Sequence, residues 1–243
     1  MALYDFCILF LLFFSFSVAG YIAEITYCSI LNKKLVFNRG FLIGPYLPIY
    51  GASSILISAM LSKYKSDLLA VFTLGAVIAT VVEYLTSYVM EKLFKTRWWD
   101  YSKESFNVNG RVCLKNSILF GLGSVLIVLI VDSYLSFIYS IDKTLFIIIS
   151  LLFLVIFLTD LVISNLVVFK IRKNSILARF DMTEEVKDKV KIELSRNIFL
   201  TKRLLSSFPD IFENVRDTIK KLDDKRKTIN KKNKEKIKKI MKK

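Results

Sequence analysis

"RGFLIGPYLPIYGASS", Arg39–Ser54, holds two of the chain's three prolines, Pro45 and Pro48, and three of its eight glycines, Gly40, Gly44 and Gly51. The sequence on both sides reads as membrane-spanning helix, so the worst helix formers stand at the mouth of an apolar segment. Taken as the entry of a span, the run makes Phe41–Leu61 the second of five crossings. Inside such a helix each proline removes an amide, so Pro45 strands the carbonyl of Phe41 and Pro48 that of Gly44. Gly40 and Gly44 form G-x-x-x-G, which admits a neighbouring helix. The run is either a kinked entry turn that packs closely and binds nothing, or a broken helix lining a cavity at membrane depth.

The rest of the chain supports a membrane assignment. Of its 243 residues 54% are hydrophobic, yet the formal charge is +15, so apolar runs and cations occupy different segments. A spanning helix needs about 20 mainly apolar residues. Five segments qualify: Phe6–Leu31, Phe41–Leu61, Leu68–Leu93, Leu114–Val131 and Leu145–Phe169. The first reads as a retained helix, since Asp5 stands where a signal peptide carries Lys or Arg. Basic residues fix the direction. Lys33, Lys34 and Arg39 follow the first span, and Lys92, Lys95, Arg97, Lys103, Arg111 and Lys115 follow the third. Only Lys63 and Lys65 follow the second, and only Lys143 the fourth. The expectation is a multi-pass protein of the cell membrane, N-terminus outside and C-terminus cytoplasmic.

There is no histidine, which excludes His-based acid–base catalysis and most zinc and haem sites. Cys7, Cys28 and Cys113 are scattered thiols without C-x-x-C spacing, and G-x-x-x-x-G-K-[ST] is absent, so any ATP chemistry needs another chain. No cofactor and no metal is expected.

Ionisable residues inside apolar spans should face the bundle and have partners. Glu24 sits late in the first span, Glu83 deep in the third, Glu91 at that span's cytoplasmic end and Asp160 well inside the fifth. Glu83, Ser87 and Glu91 follow i, i+4, i+8 and share one helix face. Glu83 is equally a site residue or a structural carboxylate, whereas Asp160 reads as structural. The loop over residues 92–113, with "EKLFKTRWWDYSKESFNVNGRVCLKNS" beginning at Glu91, carries both tryptophans of the chain, Trp98 and Trp99. Tandem Trp beside Tyr101 suits the headgroup layer. Asp100, Asn107, Asn109 and Arg111 add varied polar groups, and Asn109-Gly110 signals a turn. The loop reads as an anchor or coupling element capping the bundle.

Three passages, "NRGFLIGPYLPIYGASS", "EYLTSYVMEKLFKTRWWDYS" and "FNVNGRVCLKNSILFGLGS", resemble the bacterial family of ABC-transporter permeases of the CmpB type. The similarity runs from about Tyr21 to Ser124, and Gly44, Pro45, Pro48, Gly51, Glu83, Glu91, Trp98, Trp99, Asp100, Asn107, Asn109 and Arg111 match the family pattern. The resemblance implies a polytopic membrane protein partnered with an ATP-binding subunit.

From Lys170 onward lie 24 of the 36 Lys and Arg residues. Asp181 and Glu184 form a capping pattern before a mixed-charge helix of about Glu184–Leu205. Val215, Ile219, Leu222 and Ile229 mark a later stripe, and the last residues are nearly all cationic. Such a tail attracts anionic lipid. Without interleaved aromatics it points to no specific nucleic acid.

The fold expected is an all-α bundle of about five transmembrane helices over residues 1–169, followed by a basic, partly helical tail over 170–243. The function expected is a non-enzymatic transporter component, a permease-like subunit needing a separate ATPase. The broken second span and Glu83 would line its route, and the loop over 92–113 would couple it to the ATPase. Membrane lipid and a second copy of the chain are its other expected partners. The alternative is a non-transporting scaffold whose tail recruits lipid or protein. A lipid-headgroup enzyme with Glu24, Glu91 or Asp100 as general base is a third class.

Overall fold

The computed structural model describes residues 2–35, 40–94 and 97–177, and the tail elements expected beyond Leu177 lie outside the described residues. Five α-helices account for most of the described chain. The first, α1 (Ala2–Asn32), is a single apolar rod that ends where Lys33 turns into the left-handed region at φ 49°.

The second crossing is not the continuous helix expected over 41–61. Gly40 turns at φ +84°, residues 40–47 stay non-helical, and α2 is confined to Pro48–Leu61. Pro48 takes the first helical position, where its missing amide costs nothing. At 1.5 Å per residue α2 covers about 21 Å of a hydrocarbon core about 30 Å thick. The remainder is bridged by unwound backbone. Two earlier expectations fall with this. No helix precedes Pro48, so neither proline strands a helical carbonyl. Gly40 and Gly44 are not a helix-packing pair: Gly40 makes a turn, and a Cβ on Gly44 would lie 2.2 Å from the Tyr46 ring. Hydropathy counts Phe41, Leu42 and Ile43 as apolar whatever their backbone does, which is why the segment reads as span.

A 3-10 turn, Ser62–Tyr64, leads to α3 (Leu68–Phe94), whose start is capped by Asp67 Oδ1 accepting the amide of Ala70 at 3.0 Å. After the loop, a two-stranded hairpin (β1, Asn107–Val108; β2, Val112–Cys113) feeds α4 (Leu114–Ser140). This helix runs on past Val131, where the sequence suggested an outer loop. Asp132 interrupts the apolar run without breaking the helix, because it faces outward and pairs with Lys65 at 2.8 Å. Asp142 then caps α5 (Lys143–Leu177), accepting the amides of Thr144 and Leu145.

Four helices, α1, α3, α4 and α5, are long and apolar enough to cross a membrane. With the half-unwound second segment they make the all-α membrane bundle. Its packing follows from which faces are apolar. Near the start of α1, Cys7 and Ile8 meet Ile138 of α4 and Phe146 of α5. At mid-height Phe10 of α1 and Phe157 of α5 enclose Leu42 and Tyr46 of the unwound segment. Ile57 and Leu61 of α2 pack on Val71 of α3 and Val128 of α4. Gly51 lets α2 touch α1, since a Cβ there would stand 2.3 Å from the carbonyl of Phe13. Large apolar side chains such as Leu126, Ile130, Leu152 and Val155 stay exposed on the outer faces, as lipid contact requires.

Candidate functional site

The unwound segment is held by one side chain. Asp160, on α5, accepts the amide of Ile43 at 2.9 Å, the amide of Gly44 at 2.7 Å and the Tyr46 hydroxyl, and Ser164 donates to it from the next turn at 2.8 Å. The amide of Leu47 donates to the carbonyl of Ser17, midway along α1. Backbone that has left a helix inside a membrane must find such partners, and here α5 and α1 supply them. Among the motif residues of this run, Gly44 is tied to Asp160, Pro45 is exposed, Pro48 starts α2 and Gly51 packs on α1.

The loop before α4 folds as a cap on α3. Asn109 (φ 53°) and Gly110 (φ 68°) are both left-handed, and the amide of Arg111 donates to the carbonyl of Val108 at 3.0 Å, which closes a type I′ turn. Asn107 supports it by accepting the amide of Gly110 at 3.0 Å. Gly110 sits so close to Ser102 and Asp100 that a Cβ would meet their side-chain oxygens within about 2.5 Å. Asp100 accepts from the amide and hydroxyl of Ser102, and these bonds hold its carboxyl below the usual range.

Three successive rungs of α3 receive this cap. Glu83 accepts from the Tyr101 hydroxyl at 3.2 Å. Ser87 accepts from Arg111 Nη1 at 3.3 Å. Glu91 meets Arg111 Nη2 at 2.7 Å and Arg97 Nε at 3.2 Å. The Arg111 guanidinium also lies over the rings of Tyr84 and Tyr88, at 5.7 and 5.5 Å. Trp99 Nε1 donates to the Arg111 carbonyl at 2.9 Å, and the Asn109 amide donates to the Tyr84 hydroxyl at 3.0 Å. Trp98 is buried edge-on against Phe41 and Phe94, so it joins the cap to the start of the unwound segment. Tyr88, Glu91, Lys92 and Arg111 line an open cavity of about 350 Å³.

Beneath the cap lies a buried polar group that the sequence showed only in part. Glu83 is 4% exposed. Its Oε1 is taken by Tyr101, whereas Oε2 has no hydrogen-bond partner among the described residues. Glu24 of α1 accepts from the Tyr50 hydroxyl of α2 at 3.1 Å and from the Cys28 thiol at 3.4 Å. The Asn116 side chain of α4 and the charge of Glu24 both act on Glu83. Burial and the neighbouring Glu83 keep the Tyr101 hydroxyl protonated, well above the ordinary phenol range. Tyr50, Tyr101 and Asn116 were not foreseen as site residues; Tyr101 alone had a signal, its place within the Trp-Trp-Asp-Tyr-Ser motif.

The unwound segment, the cap and the polar group all fall within residues 11–165, which match a family model described as "Putative ABC-transporter type IV", the CmpB type. The chain belongs to that family. As a CmpB-type protein it is a multi-pass membrane protein of an ABC-transporter-type family. No curated protein and no solved structure shows significant similarity to it.

Proposed function

We propose that this CmpB-type chain is the membrane subunit of a transporter driven by a separate ATP-binding subunit, with the hairpin cap as its docking surface. The observation that carries this is the position of Tyr101: it lies in the cap and binds Glu83 inside the bundle at 3.2 Å. A push on the cap therefore reaches the buried Glu83 directly through Tyr101. The route would run between the unwound segment, with Gly44, Pro45, Pro48 and Gly51, and the face of α3 that carries Glu83.

The distribution of basic residues supports a cytoplasmic cap, where an ATPase would meet it, and an N-terminus outside. Lys103, Phe106 and Val108 are exposed on the cap and available to a partner.

The test is to purify the tagged full-length chain from its native membrane in mild detergent and identify by mass spectrometry what accompanies it. A stoichiometric ATPase with a P-loop is expected, and it should be lost when Phe106 is changed to Asp. Purification without any such ATPase, under conditions where known transporter complexes survive, overturns the proposal.

A further inference from the structure

We propose that Glu24 and Glu83 form a buried site for one monovalent cation, a proton or an alkali-metal ion, within the bundle. The inference rests on the packing around these two carboxylates and not on the transporter reading above.

Five elements contribute polar groups around the pair, and Lys115 of α4, next to Asn116 in sequence, is engaged by Tyr27 of α1. From α1 come Glu24 itself and the Cys28 thiol, and from α2 the Tyr50 hydroxyl. From α3 comes Glu83, from the cap the Tyr101 hydroxyl, and from α4 the Asn116 amide. Among the described residues no Lys or Arg pairs with either carboxylate; the ion pairs present join Lys65 to Asp132, Arg97 to Glu91 and Asp100, and Arg111 to Glu91. Arg111 reaches Ser87, one turn from Glu83, but its guanidinium is engaged by Glu91.

Two phenols each donate one hydrogen bond to a carboxylate, which satisfies a lone pair but leaves the charge in place. A carboxylate with no ion-pair partner inside a membrane bundle is unstable: Glu83 is buried away from water, and the charge of half-buried Glu24 acts on it as well. Glu83 Oε2 is the position left for the balancing charge: it is buried, is not reached by the Tyr101 hydroxyl, and belongs to the carboxyl on which Asn116 and Glu24 also act. A cation there would be held by the Glu83 carboxylate, with the Tyr101 phenol on the same group and the charge of Glu24 acting from α1. The carboxylate oxygen suits a proton or a hard monovalent ion.

The test uses the full-length chain in mild detergent and the hydrophobic reagent dicyclohexylcarbodiimide, which modifies protonated carboxyls shielded from water. Peptide mass spectrometry locates the adduct. In choline buffer Glu83 is expected to be modified, with no adduct at that position in Glu83→Gln. A proton as the bound cation gives labelling that falls as pH rises and ignores sodium and potassium. An alkali-metal ion gives labelling that sodium or potassium suppresses at constant pH and ionic strength. In Glu24→Gln the repulsion is gone, so the pH of half-labelling should drop by about one unit, or the protecting ion should bind about tenfold more weakly. No adduct at Glu83 under any condition overturns the proposal, as does labelling of the folded Glu24→Gln variant identical to the parent's. If that variant loses its monodisperse elution, the choline, sodium and potassium arms on the unaltered chain decide alone. Co-purification of an ATPase bears on none of these outcomes, so the two proposals fail separately.

Discussion

Arg111 Nη2 and Glu91 Oε2 meet at 2.7 Å where the hairpin lands on α3, with 11% and 33% of the two side chains exposed. The pair is partly shielded, and the same guanidinium serves Ser87 and two tyrosine rings. Removing Arg111 leaves Glu91 with Arg97 alone.

Arg111→Ala should therefore loosen the cap, while Arg111→Lys keeps the charge, loses the fork and falls between. Limited proteolysis across residues 97–111 checks this. Cleavage no faster in Arg111→Ala than in the parent would show that the guanidinium does not hold the hairpin.

Asp160 carries the amides of Ile43 and Gly44, and a hydrogen bond to a charged group contributes about 1.5–3 kcal/mol. Asp160→Ala should raise amide exchange across residues 40–47 and lower thermal stability in detergent. Tyr46→Phe, which removes one donor, should cost less. Exchange by mass spectrometry reads both, and an unchanged rate over 40–47 in Asp160→Ala would mean the segment is held by apolar packing instead.

Gly51→Ala places a methyl group 2.3 Å from Phe13 O and Ser17 Oγ, so α1 and α2 must separate, at a cost of about 1–3 kcal/mol. Gly123→Ala is the matched control, because nothing lies within 4 Å of its added methyl. Melting of both variants in the same detergent should show a drop for the first alone.

Asp100 supplies a pH dependence whose sign follows from its hydrogen bonds. Ser102 lowers the folded carboxyl below its ordinary value of 3.8, so its contribution is complete above that pH and disappears as pH falls through the lowered value. Exchange protection of residues 100–110 should be flat from neutral pH down to about 4, the unperturbed Asp value, and weaken below it. Asp100→Asn should show a smaller acid step, leaving the share that comes from Glu91 and its arginines. An identical acid profile in that variant would assign the step to another carboxyl.

The long helices were legible because twenty apolar residues in a row admit few alternatives. Asn109-Gly110 was equally plain, since a turn with two left-handed residues selects that pair. The second crossing was not legible. Its apolar side chains satisfy a hydropathy window, while its backbone depends on Asp160, 116 residues from Gly44 in the chain. Asp160 could be read as structural without its partner being readable. The polar group failed for the same reason: Glu83 stood out as a carboxylate in a span, but Tyr101 and Tyr50 turn inward through packing that no local pattern encodes.

The unwound segment also sets an order of assembly. Helix α2 alone is too short to be retained as a membrane segment, and the amides of Ile43 and Gly44 have no side-chain acceptor until Asp160 has been made. At the usual pace of synthesis, about 5–20 residues per second, that wait is on the order of ten seconds. During it α1 and α2 must remain near one another in a half-inserted state. Helix α5 thus completes the second crossing, and truncation before Asp160 would strip the second crossing of its clasp as well as shortening the fifth.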